Sequence, residues 1–277
     1  MAAPRKKALR RSARTTAGGL KKIYRRWRSA ENALPDALWS KTLRTSTYAR
    51  ALPKAEQARL RELSSRLLAS KSFEGALGVT VNNAMRARIA LHAGIPVLNL
   101  GLDYYAEWMA VVIYPGDFRV HDEYMDEHGV VHREMTDLCG QSLSQGPIVL
   151  SWETILEEDK FPSDYNLVIH ECAHKLDVLN GAANGFPPLH SDMQARAWAR
   201  DFHDAYRRLC AAHDAKKSCR IDPYATEDPA EFFAVMTETF FTKPRLIYQD
   251  FPAVYTQLRN FYRQDPVAVL AGKNRAR

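Results

Sequence analysis

The first third of the chain has apolar residues at helical spacing. Between Lys54 and Leu68, leucines recur at intervals of three and four residues, directly after a proline. Met85 and Ile89 repeat this spacing in the stretch from Asn82 to Ala93. Residues three and four positions apart lie on one face of an α-helix, so the pattern predicts two amphipathic helices.

Shorter apolar runs follow. Met109 to Tyr114 and Pro147 to Trp152 are rich in β-branched or large apolar residues and are bordered by glycine or proline, which predicts two strands. The run from Ile95 to Leu102 is too short for periodicity to choose between a buried helix and a strand. Asp122 to Asp137 is acidic and contains histidine, which indicates a hairpin or a loop.

From Asn166 onward the pattern is helical again, apart from a loop at Gly181 to Pro188. The mixture predicts an α+β fold in which helices are the majority. We expect residues 29–266 to form a single domain and residues 267–277 to form a flexible C-terminal tail.

The charge of the chain is unevenly distributed. Its 277 residues include 39 Lys and Arg against 32 Asp and Glu, which gives a net charge of +7. Eleven of the basic residues and none of the acidic ones lie within residues 1–28. The remaining part of the chain therefore has 28 basic and 32 acidic residues. The sequence predicts a disordered basic tail at 1–28, with a contact to anionic lipid or nucleic acid, or organelle targeting, as alternatives. Because the body is acidic, nucleic acid is not expected as its partner.

The composition of the chain limits the classes of protein to which it can belong. Hydrophobic residues make up 46% of the chain, which is enough for a packed core and excludes wholesale disorder. No apolar run approaches the ~18 residues of a membrane span, and no secretory signal is recognisable. The four cysteines form no C-x-x-C pair, which favours a reducing compartment. We therefore expect a cytoplasmic protein, and a monomer.

The sharpest chemical signal is His170-Glu171-Cys172-Ala173-His174, an H-E-x-x-H pattern. Histidines at i and i+4 project from the same helix face, so both imidazoles can reach one metal ion. In zinc peptidases the glutamate of this pattern reaches the activated water without binding the metal, and it acts as the general base. The apolar residues that precede His170 indicate a buried helix, in which His and Glu without partners would be costly.

A catalytic zinc needs a third protein ligand and an open fourth position. No third histidine follows His174 at metzincin spacing, so a downstream carboxylate is the natural source. Glu231 is the first candidate, although Asp228, Pro229 and Glu231 also fit a helix-capping box. Glu238, seven residues further on, returns to nearly the same helix face and is an alternative ligand or a group behind the ligands.

Several longer stretches resemble the Mlc titration factor A family of zinc metallopeptidases. The resemblance runs in order over about residues 50–266. It is carried by Val168 to Asp177, Ile221 to Val235, Asn99 to Leu102, Val112 to Pro115, Gly146 to Trp152 and Phe261 to Pro266.

This resemblance implies a zincin-type metallopeptidase fold with a small mixed β-sheet and an H-E-x-x-H active-site helix, similar to the protease domain of anthrax lethal factor. Carried over by motif, His170, His174 and Glu231 would bind one Zn²⁺ per chain. Glu171 would be the general base, and Tyr224 would donate a hydrogen bond to the developing oxyanion.

Two further roles follow with alternatives left open. Asp177 could accept the second ring N–H of His174, or it could form a cap or salt bridge at the end of the helix. The strand from Pro147 to Trp152 could be an edge strand that holds a peptide by backbone pairing, or a plain core strand. Cys172 faces away from the two histidines and is interpreted as a small core residue.

The leading hypothesis is therefore a zinc-dependent metallopeptidase, aminopeptidase-like, that hydrolyses peptide substrates. The family resemblance also implies a partner, a transcriptional repressor such as Mlc. The alternative is a non-catalytic regulator that sequesters a transcription factor, with zinc structural or vestigial. The presence of both Glu171 and Tyr224 favours the enzyme, because a structural metal site needs neither.

Overall fold

A computed structural model of the chain describes residues 34–116, 118–125, 131–138, 140–142, 146–160 and 165–275. The basic segment 1–28 lies outside the described residues, so the interpretation of this segment stays a prediction.

The first four helices that the structure describes bury apolar residues, and two of them begin at a side-chain cap. They are α1 (Asp36–Leu43), α2 (Thr47–Ala51), α3 (Lys54–Ser70) and α4 (Asn83–Gly94). Ser46 caps α2 by accepting a hydrogen bond from the Ala49 amide, and Asn82 caps α4 by accepting from the Ala84 and Met85 amides. Helices α3 and α4 confirm the two helices predicted from leucine and methionine spacing, with ends shifted by one or two residues.

The sheet is small and mixed. Its strands are β1 (Ser72–Gly75), β2 (Ala110–Tyr114), β5 (Gly140–Ser142) and β6 (Ile148–Ser151), in the order β1-β2-β6-β5. β2 is parallel to both β1 and β6, whereas β5 is antiparallel to β6. Strands β2 and β6 confirm the two predicted strands.

Strand β6 is not an edge strand. It pairs with β2 through Val111↔Ile148 and with β5 through Gln141↔Val149. The outer strand on this side is β5, whose three residues are too few to give a sequence signal. The core-strand interpretation of Pro147 to Trp152 is therefore correct, and the edge-strand interpretation is wrong.

Two other segments left open by the sequence are resolved. The acidic stretch forms an antiparallel pair of strands, β3 (Phe118–Met125) and β4 (Val131–Leu138). The run from Ile95 to Leu102 is neither helix nor strand but a series of turns that leads into a 3-10 helix at Leu102–Tyr105. Pro96 and a Gly101 at φ 92° account for this, because both interrupt a regular element.

The C-terminal half is helical. It contains α5 (Trp152–Lys160), α6 (Leu167–Asp177), α7 (Ala195–Asp214), α8 (Pro229–Thr242), α9 (Pro244–Asp250), α10 (Pro252–Tyr262) and α11 (Pro266–Arg275), with 3-10 turns at Val178–Asn180 and Pro223–Thr226. Each of α8 to α11 starts with proline, whose fixed φ and missing N–H suit the first helical position.

Helix α11 occupies most of the segment 267–277, where the sequence predicts a flexible tail. The helix begins at Pro266, and Val267 and Val269 pack against the core. These two valines give the segment an apolar surface for packing, although its overall composition is basic.

Helix α6 runs through the centre of the molecule. It contacts β5 and β6 of the sheet on one side and α8 on another. Its residues Leu167 to Ile169 are at most 2% exposed, and Phe232 and Phe233 of α8 are equally buried. The core therefore fixes α6 and α8 against each other. Among the described residues, no helix combines the length and the apolar composition needed to cross a bilayer.

Candidate metal centre and active site

Helix α6 starts at a firmly held N-terminus. The Asn166 side chain accepts a hydrogen bond from the Ile169 amide at 3.0 Å, and Glu158 Oε1 accepts from the Leu167 amide at 2.8 Å. These contacts satisfy two of the four amides that a helix start leaves unpaired. His170 and His174 follow on the same face of the helix, with ring centroids 4.8 Å apart.

The Asn166 amide is oriented by a buried histidine of α4. Asn166 Nδ2 lies 2.8 Å from His92 Nδ1, and His92 Nε2 lies 3.1 Å from Thr45 Oγ1. Since the Thr45 hydroxyl donates to the Thr42 carbonyl, it accepts from His92 Nε2–H, which leaves Nδ1 to accept from Asn166. Burial lowers the pKa of His92 to about 3, so the ring is neutral, as this arrangement requires.

Helix α8 presents Glu231 in its first turn. Asp228 Oδ1 accepts hydrogen bonds from the Ala230 and Glu231 amides at 2.7 and 2.9 Å. The Glu231 carboxylate, in contrast, points at the histidines of α6. Asp228 thus caps the helix without help from the Glu231 side chain, which faces the site instead, and the role of Glu231 as a ligand stays a prediction.

Three ligand atoms converge at this point. Glu231 Oε2 lies 3.0 Å from His170 Nε2 and 3.4 Å from His174 Nε2, and the two Nε2 atoms are 3.1 Å apart. Ligands at the ~2.0–2.1 Å typical of zinc form a tetrahedron with edges of roughly 3.3 Å. The triangle observed here matches one face of such a tetrahedron, so these residues could hold a metal ion.

The electrostatics of the cluster also suit a cation. Burial opposes a charge on His170, but the Glu231 and Glu238 carboxylates outweigh it and raise its pKa to about 10. Burial likewise opposes ionisation of Glu231, but hydrogen bonds from His170 and His174 lower its pKa. Both directions show that the carboxylates around the imidazoles stabilise positive charge between them.

Glu171 is almost completely buried beside the cluster, at 1% exposure. Burial raises the pKa of its carboxyl, whereas the neighbouring His170 and His174 lower it. Its Oε2 atom has no hydrogen-bond partner among the described residues. An acceptor oxygen without a partner, next to three convergent ligand atoms, has the chemistry of a general base.

Tyr224 lies at the exposed side of the site. Its ring centroid is 6.0 Å from that of His170, and its side chain is 48% exposed. Partial burial and the Glu231 carboxylate, to which its hydroxyl is hydrogen-bonded, raise the pKa of the phenol. The group therefore stays protonated and able to donate a hydrogen bond.

Helix α7 holds the short turn that carries Tyr224. Asp222 caps the turn by accepting from the Tyr224 amide at 2.9 Å. Two atoms of Thr226 then contact α7: its carbonyl accepts from the Tyr206 hydroxyl at 3.1 Å, and its Oγ1 lies 3.2 Å from His213 Nδ1. The position of Tyr224 is thus set by a helix that contributes no residue to the metal cluster.

Two residues complete the surroundings of His170. Glu238, 2% exposed, has Oε2 at 3.5 Å from His170 Nδ1 and is not a third ligand. The Tyr165 ring lies 6.2 Å from the imidazole, a contact that the sequence reasoning missed. Tyr165 precedes the cap Asn166, and His170 is the fourth residue of the helix, so the spacing of the hydrophobic staple could have indicated it.

Asp177 is expected from the sequence either to accept the second ring N–H of His174 or to form a cap or salt bridge at the end of the helix, and the structure gives it a loop amide as its partner. Its Oδ2 accepts a hydrogen bond from the Gly185 amide at 2.8 Å. The Gly185 carbonyl in turn accepts from Trp198 Nε1 of α7 at 3.0 Å, and a Cβ on Gly185 would lie 2.5 Å from the Pro229 carbonyl oxygen. Asp177 thus ties the end of α6 to a loop that contacts both α7 and α8.

An H-E-x-x-H helix beside a small mixed sheet, with a carboxylate supplied by a second helix, defines a zincin-type metallopeptidase fold. The chain belongs to the family of glucose-regulated metallo-peptidases M90, whose sequence model matches residues 20–263. This membership confirms the resemblance that the motifs indicated.

Individual relatives cover most of the chain. It is 42% identical to Mlc titration factor A of Yersinia enterocolitica over 238 residues, which is 84% of this chain and 88% of the relative. It is 41% identical to Mlc titration factor A of Serratia proteamaculans over 223 residues, 79% of this chain and 84% of the relative. The protein of the same name from Yersinia pestis is 41% identical over 84% of this chain and 87% of its own length.

Proposed function

We propose that this chain is a zinc-dependent metallopeptidase, aminopeptidase-like, that hydrolyses peptide bonds in the cytoplasm. The observation that carries the proposal is the convergence of the His170, His174 and Glu231 ligand atoms beside the buried carboxylate of Glu171. Membership in a metallo-peptidase family supports the same reaction class.

His170, His174 and Glu231 would hold the zinc ion. When bound, zinc supplies a Lewis acid that polarises the peptide carbonyl and lowers the pKa of a water molecule to about 7. Glu171 accepts the proton of the attacking water and passes it to the leaving amine. The Tyr224 hydroxyl donates a hydrogen bond to the carbonyl oxygen as negative charge develops there.

Residues behind the ligands keep this geometry. Glu238 and the His92–Asn166 pair hold His170 and the start of α6, while the contacts of Thr226 hold the turn of Tyr224. Placing each group before the substrate arrives removes the cost of arranging it during the reaction.

The test compares the unaltered protein with Glu171→Gln and His170→Ala on a broad peptide library, with zinc content measured on each. We expect cleavage by the unaltered protein alone. Glu171→Gln should keep its zinc and lose hydrolysis, and His170→Ala should lose both. Full zinc occupancy in His170→Ala would contradict the proposed metal site. Unchanged cleavage by Glu171→Gln would contradict the role of Glu171 as the general base.

A second candidate function rests on the relatives, which are named for titrating Mlc. In that function the chain binds a transcriptional repressor of the Mlc type and needs no peptide hydrolysis. Binding of a purified Mlc-type repressor by both the unaltered protein and Glu171→Gln, together with no cleavage of any library peptide, would favour this candidate. Cleavage without repressor binding would exclude it.

A further inference from the structure

A concave site lies where helix α7 meets the start of α8. It is a pocket of about 550 Å³ between the loop 184–186, helix α7 and the first turn of α8. Its floor is aromatic: Trp198 and Phe202 stack with centroids 4.2 Å apart, Phe232 stands edge-on to Phe202 at 6.0 Å, and all three are at most 6% exposed. The more accessible apolar lining comes from Phe186, Ala199, Tyr206 and Pro229. A pocket of this size and lining suits one bulky apolar group.

The pocket is separate from the proposed active site. It uses Pro229 and Phe232 of α8, which project roughly 160° and 100° around the helix from Glu231. The pocket therefore opens on another face of α8 and is not a subsite of the metal centre.

A basic stripe runs along α7 beside this pocket. It consists of Arg196, Arg200, His203 and Arg207, spaced four, three and four residues apart and all exposed. Such spacing places them on one helix face. Arg200 and His203 line the pocket, while Arg196 and Arg207 extend beyond it on either side.

Two arginines of the stripe form no ion pair among the described residues. Arg200 pairs with its neighbour Asp201 at 2.8 Å, but within the described parts of the chain no ion pair involves Arg196 or Arg207. Arginines without an acidic partner beside an apolar cavity provide electrostatic complementarity for an acidic partner, and the exposed Asp204 is an acidic neighbour of the same face.

The dimensions of the stripe exclude a small ligand as its full occupant. Arg207 lies eleven positions after Arg196 in the helix, which corresponds to roughly 16 Å at 1.5 Å per residue. An extended peptide covers this length with about five residues. A compact molecule in the pocket would reach Arg200 and His203 and leave the ends of the stripe unused.

We propose that the pocket and the basic stripe form a docking site for an acidic peptide segment of a partner protein, with one bulky apolar side chain held in the pocket against Phe186, Tyr206 and Pro229. Nucleic acid fits this surface less well, because contacts of its phosphates with the stripe would leave the apolar pocket empty. The proposal does not depend on peptide hydrolysis.

The test uses three fluorescein-labelled peptides of twelve residues: an acidic peptide with a central Trp, the same peptide with Ser in place of Trp, and a Lys-rich peptide with the Trp. Binding is measured by fluorescence anisotropy at physiological salt with Glu171→Gln, which prevents cleavage of the probe. We expect the acidic Trp peptide to bind at least ten times more tightly than either of the others.

Two variants address the two parts of the site. Ala199→Phe places a ring in the pocket, and the double variant Arg200→Glu/Arg207→Glu reverses the stripe. Each should weaken binding of the acidic Trp peptide about ten-fold or more. Arg245→Glu, an exposed charge reversal on α9, is the matched control and should leave binding unchanged. Circular dichroism melts establish that every variant is folded.

Three outcomes would overturn the proposal. Equal binding of the Trp and Ser peptides would show a purely electrostatic contact. Binding that neither variant weakens would place the peptide elsewhere. Competition by duplex DNA that is as strong with Ala199→Phe as without it, in the absence of selective peptide binding, would assign the stripe to nucleic acid.

Discussion

Glu238 Oε2 lies 3.5 Å from Nδ1 of His170, on the side of the imidazole away from the Nε2 that faces Glu231. No other described group pairs with this buried Nδ1, which has no hydrogen bond of normal geometry. The same carboxylate oxygen accepts from the Asn166 amide at 3.4 Å. One carboxylate thus contacts both the cap of α6 and the ring of a proposed ligand, as carboxylates behind metal-bound histidines do.

Glu238→Gln should weaken zinc binding about 10- to 100-fold. The amide oxygen of glutamine can take the place of Oε2 toward both donors, but it carries no negative charge to support the ligand. Competition with a fluorescent zinc chelator measures the affinity. Glu227→Gln, an exposed glutamate just before α8, is the control. Equal affinity in the two variants would show that Glu238 has no part in holding the metal.

Tyr224→Phe should lower kcat by roughly 10²-fold or more, with KM and zinc content nearly unchanged. The substitution removes the hydroxyl that would stabilise the oxyanion, together with its hydrogen bond to Glu231. Tyr248→Phe serves as control, because Tyr248 is comparably exposed at 54% and lies on α9. A change confined to KM would instead assign Tyr224 to substrate binding.

The stability of the metal-free protein should fall as the pH drops from about 6.5 toward 3, in part through His92. Its pKa is about 3 in the folded chain and ~6.5 when unfolded, so the unfolded state takes up the proton first. The contribution is therefore fully present above pH 6.5 and is lost on acidification, at up to about 1.4 kcal/mol per pH unit.

Urea denaturation at a series of pH values, with a chelator present, checks this expectation. His92→Gln should show a flatter dependence on pH than the unaltered chain, and His203→Gln, at an exposed position, should follow the unaltered chain. Parallel curves for all three proteins would contradict the assigned role of His92.

Gly185→Ala should destabilise the fold by about 2–4 kcal/mol. Gly185 has φ +73°, and a Cβ would lie 2.5 Å from the Pro229 carbonyl oxygen. Gly181→Ala isolates the backbone effect, since Gly181 has φ +99° and nothing within 4 Å of its Cβ position. It should cost only about 1 kcal/mol. Thermal unfolding measures both, and equal losses would show that the contact with Pro229 is unimportant.

The local features of the site could be predicted because they depend on helix geometry. Histidines at i and i+4 must share a face, and leucines three and four apart must form an apolar side. Glu231 could not be chosen by spacing alone, since the same residues also fit a helix cap. In the structure Asp228 caps the start of the helix. Only the observed orientation of the side chains shows that Glu231 is not needed for this cap.

The remaining features depend on contacts distant in the sequence. The partner of Asp177 is the amide of Gly185, whose backbone conformation no periodicity reports. The position of β6 inside the sheet depends on β5, which has three residues. The network from Thr45 through His92 to Asn166 joins helices more than 70 residues apart along the chain. None of these contacts leaves a pattern within a window of one helical turn.

Asn166 and Asp228 give the two helices that carry the proposed ligands fixed starting points. His170 is the fourth residue after its cap, and Glu231 is the third after its own. An inserted residue between cap and ligand would turn the side chain by roughly 100° and displace it by about 1.5 Å. The two short segments from cap to proposed ligand, 166–170 and 228–231, therefore cannot change in length without displacing a side chain of the site.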